Sequence, residues 1–106
     1  MTRTGRPPGR CKNMSEVRDE IDRLDRVLVR LLSERQRYIE RAAEIKLNRT
    51  SVRDETRIED VIAKVLAEAG RTGLSADIAE AVWRTLMERS IAHEFGAFDA
   101  KLQRSK

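Results

Sequence analysis

Basic side chains stand where an apolar helical stripe calls for apolar ones. Apolar residues recur at Val17, Ile21, Leu24, Leu28, Leu31, Leu32, Ile39, Ala42 and Ile45, the spacing of one helix face. Along that stripe the position after Leu31 is Arg35, and the position after Ala42 is Lys46. A separation of 11 residues is about 1100° of helical turn, which leaves the two bases within roughly 20° of one face and about 16 Å apart along the axis. Two long side chains reaching toward each other would leave a gap the size of a small anion. Arg57, at helical spacing between Asp54 and Val61, repeats the anomaly on a second element. Ser90 and Glu94 form an i, i+4 pair on a third, sharing a stripe with Val82, Trp83, Leu86 and Met87. Buried cations require partners, and the nearby acids are too few for all three bases. For Arg35 or Lys46 alone, snorkelling to solvent from the stripe edge is the simpler account. Three inward-facing bases with a hydroxyl and a carboxyl favour a polyanion site, one that a ligand with two carboxylates would fill.

Three helices must position these residues. Asn13 or Ser15 can cap the first, with Asn13-x-x-Glu16 as a variant capping box, and no Pro or Gly intervenes before about Asn48. Residues 49–53 break the period. Asp54 or Ser51 can cap a second helix, striped by Ile58, Val61, Ile62, Val65 and Leu66, with Gly70 and Gly73 as its stop. Ser75 can cap a third, carrying Ile78, Ala79, Val82, Leu86, Ile91 and Phe95 and running past Gly96 with a weakened end. The expected architecture is all-α: long, medium and long helices. A first helix of about 34 residues would be roughly 50 Å long, against a radius of gyration near 13 Å for a compact domain of this size. Two shorter helices cannot cover its stripe, so the length predicts an interlocked helical homodimer. Mixed 3- and 4-residue steps and the Leu31–Leu32 pair do not sustain a coiled-coil heptad.

The composition agrees with helices and closes other routes. At 106 residues there is room for one core. Charged residues make 38%, well above the usual quarter, while 4% aromatics speak against a β-sandwich or barrel. One Cys and one His exclude a Cys-based zinc site and a multi-histidine metal site. No apolar run approaches a membrane span, and no apolar N-terminal segment suggests a secretory signal, so a cytoplasmic protein is expected. The net charge of +4 invites a nucleic-acid reading, but it is carried by the ends. Residues 1–13 hold Arg3, Arg6, Arg10 and Lys12 without an acid, and residues 99–106 hold Lys101, Arg104 and Lys106 against Asp99. The segment between is slightly acidic, whereas a DNA-binding domain wears its charge on a folded face. The expected division is a disordered basic tail over 1–13, a helical domain over 14–98 and a C-terminal tail over 99–106. Trp83 and Tyr38 read as packing residues, His93 as a surface or dimer-edge residue, Cys11 as an incidental thiol, and Arg23, Arg26, Arg30, Arg41 and Glu40 as a solvated face.

At the segments Val17 to Asp25, Leu31 to Arg35, Ala43 to Lys46 and Val52 to Arg57, the sequence resembles the all-helical chorismate mutases, whose small homodimers have three helices per chain. A looser likeness continues to Ser90-Ile91-Ala92-His93-Glu94, so the resemblance covers about 15–96. It implies rearrangement of chorismate, a dianion, to prephenate on the route to Phe and Tyr, with no cofactor and no metal. It places substrate contacts on Arg18, Arg35, Lys46, Asp54, Arg57, Ser90 and Glu94. Lys46, Glu94 and Arg35 would be catalytic, and Arg18 would come from the other protomer. That last assignment agrees with a separation of about 25 Å between Arg18 and Arg35 along one helix. Many members have Gln at the position of Glu94 and some have Glu. An ionised Glu cannot donate a hydrogen bond, so the resemblance implies a protonated Glu94 and activity that favours mildly acidic pH. Ile58 stands where some members place a Glu that binds the ring hydroxyl.

Two enzymatic alternatives share the fold: a lyase that removes pyruvate from isochorismate, and an aminated-chorismate mutase. Ser90 and the Val52-Arg53-Asp54 segment lean toward the mutase. The lyase family looks alike at Arg18, Arg35 and Lys46 and also tolerates an aliphatic residue after Arg57. A non-enzymatic helical regulatory or nucleic-acid-binding dimer is the alternative from a different class; the inward-facing bases and near-neutral core count against it.

Overall fold

The computed structural model describes residues 5–105; residues 1–4 and Lys106, parts of the two expected tails, lie outside the described residues. Three helices carry the chain: α1 over Met14–Ile45, α2 over Glu55–Thr72 and α3 over Ala76–Arg104. Short 3-10 turns lie at Pro8–Arg10 and Arg49–Ser51. No strand occurs among the described residues, so the fold is all-α with the long, medium, long order read from the periodicity. The chain divides into two compact units, one ending at Gln36 and the other beginning at Arg37, and the division falls within α1.

In the first unit, α1 starts where Asn13 predicts. The Asn13 Oδ1 accepts the Glu16 N–H at 2.9 Å, and the Glu16 carboxylate accepts the Lys12 N–H at 2.8 Å. The reciprocal bond of a capping box is thus present, displaced by one residue. Ile21, Leu24, Leu28, Leu31 and Leu32 are between 41% and 56% exposed, and no described residue of this unit is buried. The apolar stripe finds no cover within it. Arg23 departs from the solvated face expected for it. It is half-buried, its Nε donates to Glu20 at 2.9 Å, and its Nη2 is buried without a hydrogen-bond partner. Gly5 lies against both side chains, where any Cβ would collide with them.

The second unit has a core. Ile58 and Ile62 of α2 meet Met87 of α3, with Val61, Leu66, Trp83 and Ile91 around them. Ala43 of α1, Val52 and Phe98 form a second cluster, against which Ile91, Phe95 and Ala97 pack. Ile91 belongs to the surroundings of both. Trp83 is therefore a packing residue. Tyr38 is not, at 71% exposed. Ile78 and Val82, expected in the α3 stripe, are exposed, while Met87 and Phe98 take core places.

The caps set the boundaries. The Asp54 carboxylate accepts the Arg57 N–H at 3.1 Å, and the Ser75 hydroxyl accepts the Ile78 N–H at 3.3 Å. Gly70 does not end α2, since a glycine costs a helix interior only about 1 kcal/mol. Gly73 does, at φ +85°, with its N–H and that of Leu74 both donating to the Ala69 carbonyl. α3 continues past Gly96 to Arg104, so residues 99–104 of the expected C-terminal tail are helical. α1 ends at Ile45, about three residues before the end expected from the pattern.

Candidate functional site

Lys46 and Glu94 meet. The Lys46 Nζ donates to Glu94 Oε2 at 2.6 Å, joining the residue just past α1 to the middle of α3 across 48 positions of sequence. Glu94, 5% exposed, is the one buried charged side chain among the described residues. A carboxylate removed from water must be paired, and Lys46 supplies the partner. The ammonium has three donors, of which this bond uses one, and its side chain keeps 29% of its exposure. A further oxygen ligand can approach it from solvent. Ser90 lies one helical turn before Glu94 and is half-buried. The pair thus offers a cationic donor beside a carboxyl that becomes a second donor when it takes up a proton.

Each of the other expected site residues is placed by its own unit. Asp54 is engaged as the cap of α2. The Arg57 guanidinium is drawn along α2 to Asp60 at 2.7 Å, and Lys64 reaches the same Asp60 oxygen at 2.9 Å. Lys64 first, and Arg57 after it, hold the Asp60 carboxyl below its ordinary range. Exposed pairs of this kind contribute little to stability. Arg18, exposed, and Arg35, half-buried, belong to the first unit.

Cross-helix ion pairs frame the second unit, and the sequence pattern did not reveal them. Arg53 grips Glu88 with both terminal nitrogens at 2.9 Å, and Arg84 grips Glu59 at 3.1 and 3.2 Å. These are the two-point guanidinium–carboxylate contacts that fix orientation as well as distance. Arg53 lowers the Glu88 pKa and Arg84 lowers that of Glu59. Arg49 pairs with Asp99 at 2.9 Å while its guanidinium lies 4.4 Å from the Phe95 ring centre. His93 is exposed and its Nε2 lies 2.7 Å from Glu40. No single signal in the sequence links such partners, which are 25 to 53 positions apart.

Among the described residues, no group of three or more His, Cys, Asp or Glu could hold a metal ion, and no helix is long and apolar enough to cross a membrane. The family model of chorismate mutase type II matches residues 17–95. The chain belongs to that family. The matched stretch contains every candidate site residue from Arg18 to Glu94, the Lys46–Glu94 pair among them. The chain is also similar to an isochorismate pyruvate lyase of Pseudomonas aeruginosa, at 24% identity over 87 residues, covering 82% of this chain and 86% of the relative.

Proposed function

We propose that this chain is a chorismate mutase that rearranges chorismate to prephenate. The Lys46–Glu94 contact carries the reading: a half-exposed ammonium against a buried carboxyl, within a chain of the chorismate mutase type II family. The reaction is unimolecular, one C–O bond breaking as one C–C bond forms. It needs no nucleophile, and its barrier falls when a compact conformer is held and charge developing in the transition state is met by preorganised donors. Lys46 stabilises the negative charge that grows on the ether oxygen as the C–O bond lengthens. Glu94, protonated, donates a second hydrogen bond to that oxygen. Arg18, Arg35 and Arg57 take the two carboxylates, for which the guanidinium fork is well shaped. Asp54 and Ser90 complete the contacts, and Arg18 comes from the second copy in a homodimer. No cofactor, metal, nucleic acid or membrane enters this reading, and its setting is the cytoplasm.

A second reading is favoured by two observations. The relative named above is an isochorismate pyruvate lyase, and Ile58 follows Arg57. Elimination of pyruvate from isochorismate would use the same pocket, since that reaction also breaks an ether C–O bond and asks for the same cationic donor.

One incubation separates them. The chain is mixed with chorismate and, separately, with isochorismate, and prephenate and pyruvate are assayed. Prephenate from chorismate is the expected outcome, with Lys46→Met lowering kcat/KM by about 10²–10³-fold, as expected for loss of a donor to a developing charge. Pyruvate from isochorismate with little prephenate moves the assignment to the lyase. Neither product from folded protein overturns both.

A further inference from the structure

The last carbonyls of a helix have no partner within it, and at the end of α1 a residue far along the chain supplies one. The Lys46 N–H closes the ladder onto the Ala42 carbonyl at 3.0 Å. Beyond that bond, the Lys101 Nζ donates to the carbonyl oxygens of Ala43 at 3.0 Å and Lys46 at 2.7 Å, with that of Glu44 at 3.4 Å. The same ammonium stands 4.2 Å from the ring centre of Phe98, whose side chain is 2% exposed. A cation is favoured at a helix C-terminus by the helix dipole as well as by the free carbonyls. Lys101 and Glu94 are both on α3. One helix therefore holds the backbone from which the Lys46 side chain departs and also the carboxylate at which it arrives.

We propose that Lys101 is a positioning residue: by fixing the carbonyls of residues 43–46 it aims the Lys46 ammonium at the reacting oxygen. The inference rests on the proposed function of the Lys46–Glu94 pair. It gives a role to a residue that the sequence pattern placed in a C-terminal tail. The Arg49–Asp99 pair ties the same junction to α3 without touching the α1 carbonyls, and so provides the comparison.

Lys101→Met keeps the apolar stem and removes the donors; Lys101→Arg keeps a cation; Asp99→Asn weakens the neighbouring tie. Small displacements of a reacting group are costly, so Lys101→Met is expected to lower kcat about tenfold while KM changes less than about threefold, the split that marks a transition-state interaction. Lys101→Arg is expected to recover most of kcat, and Asp99→Asn to leave it unchanged. Amide hydrogen exchange at Lys46 and Leu47 is expected to quicken in Lys101→Met alone. Should that variant not fold, Lys101→Gln, one atom too short to reach the carbonyls, takes its place with the same expectations. An active wild type with unchanged kcat and exchange in Lys101→Met overturns the positioning role and leaves the proposed function standing. Equal kcat losses in Lys101→Met and Asp99→Asn also overturn it, since general loosening would then suffice. A wild type that turns over neither chorismate nor isochorismate overturns the proposed function, and the positioning role with it.

Discussion

In the proposed mechanism, Glu94 is the residue at which protonation and catalysis meet. A carboxylate accepts hydrogen bonds and cannot donate one, and Glu94 accepts from Lys46. To donate to the ether oxygen alongside Lys46, as the proposed mechanism requires, its carboxyl must carry a proton. Activity is therefore expected to rise toward mildly acidic pH, because the productive form carries one more proton. Glu94→Gln is a donor at every pH and is expected to flatten the profile of kcat/KM. A wild-type profile that is already flat from mildly acidic to alkaline pH would remove Glu94 from the donor role. Asp54 allows a similar separation of roles. Its carboxylate caps α2, so Asp54→Ala is expected to cost about 1 kcal/mol of stability, whereas Asp54→Ser keeps a capping oxygen and is expected to melt close to wild type. Activity lost in Asp54→Ser at unchanged Tm then measures the substrate contact alone, and full activity there leaves the cap as its one function.

At the scale of the helices, apolar clusters hold the second unit, and guanidinium–carboxylate pairs link Arg53, just before α2, and Glu59 of α2 to α3. Arg53 keeps the Glu88 carboxyl below its ordinary range and Arg84 does the same for Glu59. A carboxyl whose folded-state pKa is depressed stabilises the fold above its unfolded value, and that stabilisation is lost as pH falls through the folded value. Tm is thus expected to hold steady through neutral pH and to drop below about pH 4, the ordinary carboxylate range. Arg53→Met with Arg84→Met should lower the neutral plateau and shrink the acid drop; an unchanged acid drop would assign it to other carboxyls. The helices themselves were legible in the sequence, because caps and period are local. Asn13, Asp54 and Ser75 cap as their types require, and Gly73 ends α2 where a positive φ is needed. The 3.6-residue period placed Lys46 and Glu94 on inward faces, but it could not say that they touch. Nor could it show Lys101 on the α1 carbonyls, because that outcome depends on how helices distant in sequence pack. Ile78 and Val82 fit the same period as the buried Met87 and are nevertheless exposed, since the period identifies a stripe and not its cover.

The uncovered stripe decides the argument at the scale of the molecule. Ile21, Leu24, Leu28, Leu31 and Leu32 stand exposed along one helix, and contiguous apolar surface of this kind marks an interaction site. On the proposed function, a second copy is the occupant that would also serve the chemistry, because Arg18 lies about 25 Å along the helix from Arg35 and the proposal assigns both to one substrate. A two-fold interface would present Arg18 of each chain to the site of the other. Complementation tests this. Arg18→Ala and Arg35→Ala are each expected to be nearly inactive as separate proteins. Co-refolded in equal amounts, half of the dimers should be mixed, and each mixed dimer should contain one site with both arginines intact. About a quarter of the wild-type activity is then expected to return from two inactive parents. If Arg18 and Arg35 serve the same site within one chain, every site in a mixed dimer lacks one of them and no activity returns. Sedimentation of the wild type as a monomer at working concentration would exclude the shared site outright and return the apolar stripe to the search for a different partner.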